Sequence, residues 1–142
     1  MPLPTGAFPG IPVCTTSDVL AVLGSPIGET EAWKGWVSEH VLAPYELALG
    51  RLQNLGDPRA ASLILRQCMS ACKVSWILRT AAPEVASWTA TAASPLLRQA
   101  WATVVGADVP DANWRLSTLP IREGGAGIAD PCDFVEAAQI SS

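Results

Sequence analysis

The chain has 142 residues, 49% hydrophobic and 15% charged, with a formal net charge of −4 and a mean hydropathy of +0.28. That balance excludes a generically disordered chain, and the length suits one domain with a real core. No apolar run approaches the roughly 20 residues that span a bilayer, and the net negative charge argues against a free-standing nucleic-acid binder.

The charge is unevenly spread. Residues 1–50 carry one Lys against five acids, and residues 102–142 carry two Arg against six acids. Between them, residues 51–101 carry six cations against two acids, a net of +4. A local field can thus differ in sign from the total. The segment MPLPTGAFPG has neither a basic nor an apolar signal region, so no secretory leader is expected. Four cysteines without a disulfide-type spacing then point to a reducing, intracellular compartment, cytoplasmic or nuclear.

Taken in order, residues 1–10 predict an irregular arm. Ile11–Thr15 and Val19–Leu23 are short β-favouring runs around a Thr16-Ser17-Asp18 turn, which predicts a small hairpin stopped by Gly24–Gly28. Thr30 is a cap for the next helix, whose apolar side is Trp33, Val37, Val41, Ala48, Leu52 and Leu55. Pro44 should kink or split that helix near Ala43, because proline lacks the amide and its ring strikes the carbonyl four residues back. Asn54–Gly56 closes it.

Asp57–Thr80 is the organising stretch. Asp57 is a good N-cap and Pro58 fits the first helical position. At about 100° per residue, Ala60, Ala61, Ile64, Leu65, Cys68, Met69, Ala71, Cys72, Trp76 and Leu78 share one broad arc. Arg59, Arg66 and Lys73, seven apart, drift only about 20° per step on the opposite side. The expectation is one core helix with a cationic back.

Pro83 opens a short segment to about Ala93. Ser94-Pro95 repeats the cap signal for a helix to Val105, with Leu97, Trp101, Val104 and Val105 buried and Gly106 as the stop. Ala107–Arg115 reads as a polar connector and Leu116–Ile128 as an extended, Gly-rich loop. Asp130-Pro131 gives the cap signal again. The apolar face Phe134, Ala137, Ala138 and Ile140 is cut short, which predicts truncation at the C-terminus. The fold class is therefore mainly α, a small N-terminal hairpin followed by four to five helices and a Gly-rich loop. Residues 1–28 form the arm and hairpin, and residues 29–142 one compact helical unit.

Three stretches resemble a family in the expected order. Leu23-Gly24, Pro26 and Gly28 resemble the LG-x-P-x-G segment of non-LTR retrotransposon reverse transcriptases, which follows the palm and forms the primer grip. Leu63–Arg66 with Trp76–Pro83 is similar to the family's paired LLR segments. Leu119-Pro120 through Gly124–Ile128 is similar to its LP-x-x-x-GG-L-G segment. The Y-x-D-D motif that carries the catalytic carboxylates is absent. The resemblance implies the thumb and post-thumb region without fingers and palm, holding a template–primer or RNA–DNA duplex weakly, with no catalysis and no cofactor of its own. Arg59, Arg66 and Lys73 would touch the nucleic-acid backbone. A missing palm and fingers domain is the implied partner, and no membrane is. The alternatives are a helical protein-interaction module and a retroelement remnant.

Other chemistry has a plainer reading. Cys68 and Cys72, one turn apart, would need two more ligands for a structural zinc and are expected to be buried thiols. No Ser or Cys near His40 in sequence suggests an activated pair. Gly124–Gly127 lacks the Lys-Ser/Thr ending of a phosphate loop and is expected to turn the chain back onto the core. Of six tryptophans, Trp33, Trp76 and Trp101 are expected in the core. Trp36, Trp88 and Trp114 are left for base stacking or a missing neighbour.

Overall fold

The computed structural model describes residues 20–22 and 25–141, with side chains from residue 27 onward. It is mainly α, as the composition and periodicity predict. At its N-terminal edge β1 (Leu20–Val22) lies antiparallel to β2 (Ser25–Ile27), with Leu20 opposite Ile27. The expected first strand, Ile11–Thr15, lies outside the described residues. The segment expected to end the hairpin is itself β2.

Helix α1 (Thr30–Val37) follows Glu29, which makes no side-chain cap, so Thr30 is the first helical residue and not the cap. A π turn, Ser38–Leu42, joins it to α2 (Ala43–Leu52). Here the amide of Ala43 bonds five residues back, to the Ser38 carbonyl. Pro44 has no amide to offer and its ring crowds the His40 carbonyl, and a wider turn just ahead relieves both. Pro44 thus produces a π turn within a continuous helical path rather than a split. The inserted residue also resets the buried face. Val37, Val41, Tyr45 and Leu49 are buried at intervals of four, followed by Leu52. Ala48 is only half-buried and Leu55 is exposed, against expectation.

Asp57 caps α3 (Pro58–Ile64) as predicted, accepting from the amides of Arg59 at 2.9 Å and Ala60 at 3.4 Å. The single long helix does not follow. A second π turn, Leu65–Met69, leads to Ser70 in extended conformation, and only then does α4 (Ala71–Thr80) begin. The junction's polar groups are met from elsewhere in the fold. Tyr45 Oη donates to the Met69 carbonyl at 2.6 Å, and the Ala71 amide donates to the Ala129 carbonyl at 2.8 Å. Because the break shifts the phase, α4 buries Ala71, Val74, Ile77 and Leu78. Val74 and Ile77 are absent from the predicted arc for that reason.

The next segment departs in the opposite sense. Pro83 to Val105 is one helix, α5, running through Pro95. Ala86, Ala90, Ala93, Leu97 and Ala100 form its buried side, and burying Leu97 alone contributes about 2 kcal/mol. Helix α5 is the centre of the core and packs on α1, α2, α3 and α4. Trp101 and Val104 are half-buried, Val105 is exposed, and Gly106 ends the helix as expected.

The expected polar connector holds a helix, α6 (Asp111–Thr118). A short turn at Ile121–Glu123 and the Gly-rich loop follow. The loop returns to the core: Gly127 N–H donates to the Leu119 carbonyl, Ile128 N–H to the Ser117 carbonyl, and Ile128 is buried. A Cβ on Gly125 would lie 2.0 Å from the Leu119 carbonyl oxygen, so only glycine fits there. Asp130 then caps α7 (Pro131–Ile140), accepting from Cys132 N–H at 3.0 Å. Its other oxygen accepts from Ser94 Oγ and Trp114 Nε1, each at 2.8 Å. One buried carboxylate therefore joins α5, α6 and α7. Ser94 serves here, and not as a helix cap.

Candidate nucleic-acid interface

The three cations expected on one stripe do not lie on one unbroken helix, because a π turn begins at Leu65 and Ser70 is extended. Arg59 is exposed in the first turn of α3, and Lys73 is exposed on α4. Neither forms an ion pair among the described residues. Arg66 lies in the π turn, half-buried, and leans on the Gly-rich loop: a Cβ on Gly127 would sit 3.1 Å from its Cδ. The seven-residue spacing marks one face only on an unbroken α-helix. One added residue and one extended residue remove that condition. Of the primer-grip-like residues, Leu23 and Gly24 lie outside the described residues. Pro26 is in β2 opposite Ala21, and Gly28 follows it, exposed. Gly28 and Ile27 border a small depression with Trp33, Ala82 and Val85.

What the fold does assemble is an aromatic group beside Lys73. Trp36 and His40 stack with ring centroids 4.7 Å apart and planes 6° from parallel. Trp76 meets Trp36 edge-on, at 6.3 Å and 88°. His40 Nδ1 lies 3.1 Å from the Trp36 carbonyl oxygen. His40 is exposed, and Trp76, expected in the core, is 37% exposed. Lys73 and Trp76 are three residues apart on α4 and so share a face. The sequence carried part of this signal, because Trp36 and His40 are four apart on one helical path. The other tryptophans divide differently from expectation. Trp114 is buried on Asp130 and unavailable for stacking, and Trp101, half-buried, donates to Ser117 Oγ at 2.9 Å. Trp33 and Trp88 are half-buried against the core.

The thiols and carboxylates of the described residues have these surroundings. Cys68 and Cys72 are both exposed, contrary to the expected burial, since the break at Ser70 turns them off the apolar face. Among the described residues no three His, Cys, Asp or Glu side chains gather as a metal site would need. Burial, and then the charge of Asp130, push the Cys132 thiol up, which is the opposite of nucleophile activation. The same two causes, in the same order, raise the Asp133 carboxyl. Among the described residues no helix is long and apolar enough to cross a membrane. No protein-family model, curated protein or solved structure matches the chain.

Proposed function

We propose that the chain is a nucleic-acid-holding helical segment, similar to the thumb of non-LTR reverse transcriptases and without catalysis of its own. Its ligand is a template–primer or RNA–DNA duplex, and it works inside the cell beside a palm and fingers domain. The observation that carries the reading is the exposed Trp76, backed by Trp36 and His40, on the same helix face as Lys73. Aromatic rings accept unpaired bases at about 1–3 kcal/mol each, whatever the sequence. A neighbouring cation takes the phosphate. The cationic middle of the chain and the three family-like segments support the same reading.

The duplex arm is weak by construction. Two free cations, Arg59 and Lys73, predict a slope of log affinity against log salt of about −1.8. Anisotropy titrations of an RNA–DNA hybrid with a single-stranded overhang, from low salt upward, provide the test. Lys73→Gln should halve the slope. Trp76→Ala should weaken the overhang substrate by about tenfold and leave a blunt duplex unchanged. Equal binding of both substrates by all three proteins would leave the chain as an interaction module or a retroelement remnant.

A further inference from the structure

We infer that the groove between α4 and α7 docks an acidic, amphipathic helical peptide from a partner protein. Arg79, the last cation of α4, lines this groove and donates to the Ser141 carbonyl just beyond α7, whereas Lys73 and Trp76 do not line it. The groove holds about 420 Å³, within the range of about 300–1,000 Å³ typical of sites that enclose a ligand. Its floor is apolar, with Ala71 and Leu78 from one side and Phe134 and Ala137 from the other. Two of these four are alanines, which leave the depression, and Phe134 is 45% exposed in it.

The rim decides the occupant's charge. Arg66 and Arg79 line the groove, and no carboxylate does. Neither guanidinium is in an ion pair among the described residues, and Arg79 Nη2 reaches only the Ser141 carbonyl, at 3.3 Å. Arginine forks match carboxylates in two parallel bonds. An apolar floor between two such forks fits a helix with large apolar side chains three or four apart, flanked by Glu or Asp. A nucleic-acid backbone would satisfy the rim but leave the floor facing phosphates, so the peptide is the better match. The groove uses neither Lys73 nor Trp76, and the inference does not depend on the nucleic-acid reading.

Selection of random displayed peptides of about three helical turns against the full chain tests it. The expected consensus is an apolar pair flanked by acids. A synthetic peptide of that consensus should bind with an affinity that falls as salt rises. Arg66→Gln with Arg79→Gln should weaken it by about tenfold, and so should Ala137→Trp, which fills the groove. Both variants are checked for wild-type circular dichroism, and the first rests on side chains outside the core if the second does not fold. No enrichment, a consensus without excess acid, or undiminished binding to the Arg66→Gln/Arg79→Gln variant would each overturn the inference. So would displacement of the peptide by a short blunt RNA–DNA hybrid with equal loss in that variant.

Discussion

Residues 57–80 and 83–105 are a matched pair with opposite outcomes. The first contains no Gly or internal Pro after its cap, and reads as one helix, yet it breaks at Ser70. The second contains a Ser-Pro pair in its middle and reads as two, yet it is continuous. The difference lies in what surrounds each site. At Ser70 the fold supplies partners for the broken ends, the Tyr45 hydroxyl for Met69 and the Ala129 carbonyl for Ala71. At Pro95 the ring is exposed, and the positions around it, Ala93 and Leu97, are fully buried. Unwinding there would uncover the core on one side to relieve the proline's clash with the preceding turn on the other. Residues 129 and 130 serve both sites, because Ala129 takes the α4 amide and Asp130 takes the Ser94 hydroxyl. A two-residue strap thus stabilises one helix as broken and ties the other as whole.

The comparison is broken most severely at that strap. Asp130→Ala removes an N-cap and leaves the buried Trp114 N–H without its acceptor, for an expected loss of about 3 kcal/mol in urea unfolding. A loss below about 1 kcal/mol would mean that the carboxylate ties nothing together. Gly125→Ala acts one step back, by forcing the loop off the Leu119 carbonyl, and should cost about 2 kcal/mol. Hydrogen exchange at the Ala71 amide should accelerate in this variant, and unchanged protection would uncouple the loop from the α3–α4 break.

Tyr45→Phe addresses the break alone. It leaves the Met69 carbonyl without its side-chain donor and should cost about 1–2 kcal/mol. It also carries a pH signature. Burial above all, then the charges of Cys72 and Asp130, raise the Tyr45 phenol far above its ordinary value of 10.0. A group with a raised folded pKa contributes stability that is intact below the unfolded pKa and lost as pH rises beyond it. The wild type should therefore lose stability progressively above pH of about 10, and Tyr45→Phe should lose less over the same range. Parallel curves would count against burial of the phenol.

Pro95→Ala sharpens the other half with the smallest effect. Removing a helix-interior proline gains helix propensity but frees the unfolded chain, so a net gain of about 1 kcal/mol is expected with no change in helical signal. A marked rise in helicity would show that α5 is interrupted at Pro95 after all.

Local chemistry was legible wherever the deciding group is its own neighbour in sequence. The Asp57-Pro58 and Asp130-Pro131 caps and the stop at Gly106 are of that kind, as is the mainly helical class. The candidate site was half legible: Trp36 with His40 and Lys73 with Trp76 follow from helical spacing, but their meeting does not. The cationic stripe assumed one unbroken axis across Arg59, Arg66 and Lys73, and the π turn and Ser70 interrupt that axis. The sequence by itself determined the helical class, where the capped helices start, and the excess of cations in the middle of the chain. Only the tertiary structure decided where α3 gives way to α4, that α5 ignores its proline, and which side chains stand exposed together. A backbone break or an exposed proline is tolerated or not according to the polar partners and buried area that distant residues provide. In this fold Tyr45, Ala129 and Asp130 provide the polar partners.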